Sequence, residues 1–209
     1  MKAFIFDLDG VLVFTDQFHY QAWKKLADEK NIYFDEKINQ RLRGVSRMES
    51  LEIILERYQG MPLSQKEKEA MAEKKNTIYR SLLANMKPED VAGEVRDTLV
   101  ELRRQGYRLA VGSSSKNAKF ILEKVELTTY FDAVSDGTNI TKSKPDPEVF
   151  VKAAQYLQTE PEECYVVEDA KAGIDAAKAG HMTAVGIGDA ATYKKTDIAI
   201  HKFSDLLLL

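Results

Sequence analysis

Cysteine is almost missing from this chain of 209 residues. Cys164 stands alone, so no intrachain disulfide can form, and a reducing compartment, the cytoplasm, is expected. Long hydrophobic runs are missing too. None approaches the about 18 residues that a spanning helix needs, so no membrane partner is expected. The apolar stretch at the N-terminus is interrupted by Asp7 and Asp9, unlike a secretory signal. There is no surplus of positive charge: 30 basic residues face 33 acidic ones, for a net charge of -3, so no nucleic-acid partner is expected. Histidine is scarce, with three residues and no cluster with cysteine, which argues against a zinc site. What remains is an ordinary globular balance, 44% hydrophobic and 30% charged. The length suits one domain of about 150 residues plus a smaller module, and a monomer is expected.

Several apolar runs are short and continuous, as in buried parallel strands: Ala3 to Phe6, Leu109 to Val111, Tyr165 to Val167, Thr183 to Ile187 and Asp197 to Ile200. Helical stripes lie between them. Val95, Leu99 and Leu102 form one, with Gly106 as its stop, and Val149, Phe150, Ala153, Ala154 and Leu157 form another behind Asp146-Pro147. A third runs from Ala170 to Ala179 and ends at Gly180. The alternation predicts an α/β fold around a parallel sheet. From about Thr15 to Met86 the alternation stops. Phe18, Ala22, Trp23 and Leu26 share a helix face, as do Met48, Leu51, Ile54, Leu55 and Tyr58. Ser46 to Glu49 and Ser64 to Glu67 both fit a capping box. The expected division is a core of 1–14 and 88–209 with a helical insertion at 15–87, hinged at 13–15 and 86–88.

Asp7-Leu8-Asp9-Gly10 follows the first strand directly, at the carboxyl edge where open α/β sheets bind ligands. Glu168-Asp169 ends another strand, so four acids would converge, and such crowding needs a cation or a proton. An oxygen-only set suits Mg2+. Ser113-Ser114-Ser115-Lys116-Asn117 follows the second strand and offers hydroxyls and backbone N–H groups to phosphate oxygens. Lys144, before Pro145, offers an ammonium. Taken singly, each feature also has a plainer reading: turn and cap residues for the acids and serines, a solvated charge for Lys144.

Together, Asp7-Leu8-Asp9-Gly10, Ser113, Lys144 and Glu168-Asp169 resemble the four motifs of the haloacid dehalogenase superfamily. His19, Trp23, Gly44-Val45-Ser46-Arg47, Lys75-Asn76 and Ser115-Lys116-Asn117 resemble the β-phosphoglucomutase family within it. The resemblance covers the chain except about its last twenty residues. It implies a Rossmann-like core with an inserted helical cap and a phosphotransferase acting on hexose phosphates. It implies Asp7 as the nucleophile that becomes an aspartyl phosphate, Asp9 as general acid and base, and Ser113 and Lys144 on the transferring phosphate. Mg2+ would be held by Asp7, Asp9, Glu168 and Asp169, with Glu168 acting directly or through water. Thr15, His19, Trp23, Gly44, Val45, Ser46, Arg47, Lys75, Ser114, Ser115, Lys116 and Asn117 would bind substrate, Arg47 gripping the phosphate that is not reacting. The implied reaction interconverts β-glucose 1-phosphate and glucose 6-phosphate through the 1,6-bisphosphate. A sugar-phosphate phosphatase with the same nucleophile is the alternative. A cis peptide at Lys144-Pro145 is implied as well. Phe14 departs from the family, which usually carries Asp before the matching Thr.

By themselves, Arg47 would pair with Glu49 or Ser50, Lys75 would be solvated, His19 packed or capping, and Trp23 core.

Overall fold

The computed structural model describes residues 2–42 and 45–209. The chain divides into two compact units, Met1–Phe14 with Met86–Leu209, and Thr15–Asn85.

The first unit is built on β1 (Ala3–Phe6), whose four residues are all fully buried. A strand covered on both faces cannot alternate with polar residues, which is why it reads as a continuous apolar run. The other strands are β2 (Arg108–Gly112), β3 (Ala133–Ser135), β4 (Cys164–Glu168), β5 (Thr183–Gly186) and β6 (Ile198–Ala199). They form one parallel sheet in the order β3-β2-β1-β4-β5-β6. The chain builds outward from β1 to β2 and β3, then returns to the other side of β1 with β4. The order thus reverses at β1, and ligands bind at such switch points. The register places Phe6 beside Val167, and the Asp7 N–H donates to the Val167 carbonyl at 2.9 Å. The residues after β1 and at the end of β4 are therefore neighbours.

The helices, numbered along the whole chain, are in this unit α5 (Gly93–Arg104), α6 (Ala118–Lys124), α7 (Glu148–Tyr156) and α8 (Lys171–Ala179). Val149, Phe150, Ala153 and Ala154 of α7 and Ile174, Ala176 and Ala177 of α8 pack with Ile5, Ala110 and Val166 in one apolar cluster. Gly106 ends α5 at φ +91°, a left-handed conformation open to glycine without strain. The helix expected from Asp146-Pro147 begins one residue later, at Glu148, whose N–H is taken by Asp146 Oδ1 at 3.0 Å. β3 was not anticipated: it has three residues, too short for a pattern, and Asp132 beside it bridges to Leu109 through both backbone and side chain. The chain closes with a 3₁₀ turn, Phe203–Leu208, in which Phe203 stacks on Phe6.

The second unit holds α1 (Asp16–Glu29), α2 (Glu36–Gln40), α3 (Arg47–Leu55) and α4 (Gln65–Leu83). Ser46 and Ser64 cap α3 and α4 through complete capping boxes with Glu49 and Glu67. Trp23 and Leu26 of α1, Leu51 and Ile54 of α3, and Met71 and Ala72 of α4 pack with Ile32, Phe34 and Ile38. No helix among the described residues is long and apolar enough to cross a membrane.

Candidate active site

Asp7 and Lys144 are both buried, and Lys144 Nζ donates to Asp7 Oδ1 at 2.5 Å and to Glu168 Oε1 at 2.6 Å. Burial alone would lower the lysine pKa; Asp7 and Glu168 outweigh it and hold the ammonium above its ordinary value. Glu168 absorbs the crowding. Burial pushes its carboxyl up to about 7, Lys144 opposing and Asp7 adding to the rise. The Lys144 ammonium also lies 4.6 Å from the Phe150 ring centroid. Lys144-Pro145 is cis.

Asp7, Glu168 and Asp169 each place a carboxylate oxygen within 4.8 Å of the others'. Three carboxylates against one ammonium leave negative charge in a buried place, and an all-oxygen set of this kind fits a hard divalent cation. Two glycines make the room. A Cβ on Gly10 would stand 2.2 Å from Asp169 Oδ2, and one on Gly173 would stand 1.9 Å from the Glu168 carboxyl carbon. Gly10 also has φ +86°. Both Glu168 oxygens already accept hydrogen bonds, Oε1 from Lys144 and Oε2 from the Ala170 N–H at 2.9 Å. Asp9 sits half-buried in the tight turn, where the Gly10 N–H donates to the Val13 carbonyl at 2.7 Å.

Ser113 follows β2 at the same edge and is buried. The loop behind it spends some of its own donors internally. The Ser115 N–H donates to Ser113 Oγ and the Asn117 N–H to Ser115 Oγ, each at 3.2 Å. The expectation of open N–H groups is thus corrected at these two positions: closely spaced serines bond their own backbone. Ser114 Oγ is buried with no hydrogen-bond partner, Asn117 is buried, and Lys116 is exposed. The Ser113 N–H donates to the Ser135 carbonyl and the Gly137 N–H to the Ser115 carbonyl, so the turn after β3 braces this loop.

In the helical unit the structure gathers Thr15, His19, Trp23 and Lys75. Lys75 Nζ lies 2.8 Å from His19 Nδ1, 4.9 Å from the Trp23 ring centroid and 4.4 Å from that of Tyr79. Thr15 Oγ1 and Tyr79 Oη are 2.9 Å apart. An ammonium can only donate, so Nδ1 accepts and His19 carries its proton on Nε2. Burial, then Lys75, then Arg47 push the His19 pKa well below its ordinary value, keeping the ring neutral. Lys75 is 3% exposed, which corrects its reading as a solvated charge. Arg47 turns to α4 rather than to Glu49: it donates to Asn76 Oδ1 at 2.9 Å and reaches Glu73 at 3.4 Å. Ser46 Oγ serves as the α3 cap, Val45 is half-buried, and Gly44 lies outside the described residues. Tyr79 was missed. Its signal was a row of every fourth residue on α4, Met71, Lys75, Tyr79 and Leu83, all buried.

The fold and the acidic strand ends agree with the comparison of families: residues 1–181 match the haloacid dehalogenase-like hydrolase model, and the chain belongs to that family of enzymes. Within it, the chain is 40% identical over 210 residues to the β-phosphoglucomutase of Bacillus subtilis strain 168, covering 100% of this chain and 92% of that protein. The crystal structure of β-phosphoglucomutase from Clostridium difficile aligns with a TM-score of 0.91 at 37% identity, over 99% of this chain and 93% of that one. A phosphorylated carbohydrates phosphatase of Thermotoga maritima is 30% identical over 180 residues, 85% of this chain and 81% of the relative.

Proposed function

We propose that this enzyme is a β-phosphoglucomutase, interconverting β-glucose 1-phosphate and glucose 6-phosphate through enzyme-bound β-glucose 1,6-bisphosphate. The observation that carries the reading is the 40% identity to the Bacillus subtilis mutase along the whole chain, helical unit included. The buried Asp7–Lys144–Glu168 cluster supports the chemistry.

Asp7 attacks phosphorus, and the bond from phosphorus to the sugar oxygen breaks. Asp9 delivers the proton that the departing oxygen needs, and in the return direction removes it from the attacking hydroxyl. Carboxylate and phosphate repel each other, so the barrier is electrostatic, and Lys144 and Ser113 hold the phosphoryl oxygens against that repulsion. Asp7, Asp9 and Asp169 would hold Mg2+, with Glu168 acting directly or through water; Asp7, Glu168 and Asp169 already bring their carboxylates together. Mg2+, when bound, supplies further neutralisation of the phosphoryl oxygens. Arg47 grips the second phosphate that a mutase must hold, and Ser114, Ser115, Lys116 and Asn117 bind substrate. Thr15, His19, Trp23, Gly44, Val45, Ser46 and Lys75 complete sugar recognition. The lone buried Cys164 suits the reducing cytoplasm, where the enzyme acts as a monomer on small hexose phosphates.

The Thermotoga maritima relative supports a second reading, a sugar-phosphate phosphatase with water as acceptor. One assay separates them. With β-glucose 1-phosphate, a trace of bisphosphate and Mg2+, a mutase yields glucose 6-phosphate in excess of orthophosphate. Orthophosphate as the main product overturns the mutase reading.

A further inference from the structure

Lys144 is delivered to the sheet edge by the loop 136–147, and this loop has no regular structure to fix it. One carboxylate gathers it. Glu148 Oε2, at the first residue of α7, accepts from the Thr141 N–H at 2.9 Å, the Thr141 hydroxyl at 2.9 Å and the Lys142 N–H at 2.8 Å. Glu148 Oε1 pairs with Lys152 Nζ at 2.7 Å, one helical turn on, and Lys152 also donates to the Asn139 carbonyl. The next stretch is closed by the Asp146 N–H on the Ser143 carbonyl at 3.1 Å. Lys152, then the Lys142 and Thr141 backbone, hold the Glu148 carboxyl down at about 2, so it is ionised throughout the neutral range. The neighbouring Phe150 ring lies beneath the Lys144 ammonium. Helix α7 thus meets Lys144 twice, through Phe150 at its charge and through Glu148 at the chain that carries it.

We propose that Glu148 is a positioning residue for phosphoryl transfer, clasping the 141–142 backbone so that Lys144 reaches Asp7 and Glu168. The inference rests on the reading of Lys144 as the ammonium on the transferring phosphate. A charge that merely favours a helix N-terminus would affect stability and leave Lys144 in place.

Two measurements on Glu148→Ala and Glu148→Gln test it. The first is the ¹H–¹⁵N signal of the Lys144 ammonium in the folded protein without substrate. The second is the rate of Asp7 phosphorylation by β-glucose 1,6-bisphosphate at saturation. Misplacement by about 1 Å can cost about 100-fold, so Glu148→Ala is expected to slow phosphorylation by about 10- to 100-fold and to shift or broaden the ammonium signal. Glu148→Gln keeps a carbonyl acceptor for the two N–H groups and is expected to recover most of the rate, to within about threefold of the parent. An ammonium signal unmoved in folded Glu148→Ala, with phosphorylation within about twofold, overturns the proposal. Should Glu148→Ala not fold, Glu148→Ser decides, because its short side chain suits a helix start but cannot reach residues 141–142: a displaced signal supports the clasp and an unchanged one removes it. The signal needs no substrate. A parent enzyme that never phosphorylates Asp7 would therefore fail the mutase reading while the spectrum still decides the coupling of Glu148 to Lys144.

Discussion

The two units of this protein bury a lysine each and treat it in opposite ways. In the sheet unit, Lys144 is held between two carboxylates at 2.5 and 2.6 Å, and its charge is answered by charge. In the helical unit, Lys75 meets a neutral imidazole at 2.8 Å and two aromatic faces. The first arrangement leaves an ammonium whose positive charge is shared with the carboxylate proposed as nucleophile, suited to neutralising charge as it moves. The second gives α1 and α4 a positive charge cradled by soft, neutral groups, suited to recognising an anion. Burial is the same in both; the partner chemistry sets the task.

The sharpest way to break this contrast is at Asp7. Asp7→Asn keeps the shape and removes the proposed nucleophile, and turnover is expected to fall by about 10⁴-fold or more. Phosphoprotein mass after mixing with bisphosphate is the check, and a labelled residue other than Asp7 would end the account. Next comes Lys144→Met, which leaves Asp7 and Glu168 facing each other in a buried site. Removing one partner of such a cluster costs about 3–5 kcal/mol. Urea unfolding should show that loss, and millimolar Mg2+ should restore part of it by binding the crowded acids. If neither adding nor chelating Mg2+ changed the stability of the parent or the variant, the acids would not be a cation site.

The sheet unit was the more legible of the two because its chemistry sits where strands stop. Ala3 to Phe6 followed at once by Asp7-Leu8-Asp9-Gly10, and a second strand ending in Glu168, announce a carboxyl edge with acids on it. What the residues could not announce was the clasp at Glu148, since an acid at a helix start looks like any first-turn charge until its loop partners are placed. The helical unit hid more. Lys75 and Tyr79 belong to a four-residue row with Met71 and Leu83, but a lysine in that row reads as polar surface, and only packing shows it buried. Taken by itself, Arg47 reads as pairing within its own helix, whereas the tertiary fold brings Asn76 and Glu73 to it. Phe14 departs from the family pattern and is 75% exposed, while the next residue, Thr15, found a partner in Tyr79.

His19 offers a gentler test of the neutral arrangement. Its pKa in the folded protein lies well below the ordinary 6.5, so between those two values the unfolded chain binds a proton that the native one refuses. Stability therefore stays complete above about pH 6.5 and falls as the pH drops toward the folded value. Urea midpoints of the parent and of His19→Asn, compared between about pH 7 and 5, should diverge at pH 7 and converge at pH 5. A difference independent of pH would mean that His19 titrates normally and that Lys75 is not its neighbour in solution.

The smallest expected effect is the most specific. Thr15 and Tyr79 share a buried hydrogen bond between hydroxyls, with no formal charge on either side. Thr15→Val or Tyr79→Phe removes one hydroxyl and leaves its partner less well satisfied, at a cost of about 1 kcal/mol each. The double variant loses both, so its cost should fall short of the sum by several tenths of a kcal/mol or more. Because the pair is neutral, this coupling should be the same at about 0.05 and about 0.5 M salt, conditions that change the screening of charges severalfold. A coupling that shrank with salt would show that the hydroxyls work through Lys75 rather than through each other, and the helical cluster would then be governed by charge much as the sheet site is. Strict additivity would instead remove the bond itself as a link between α1 and α4.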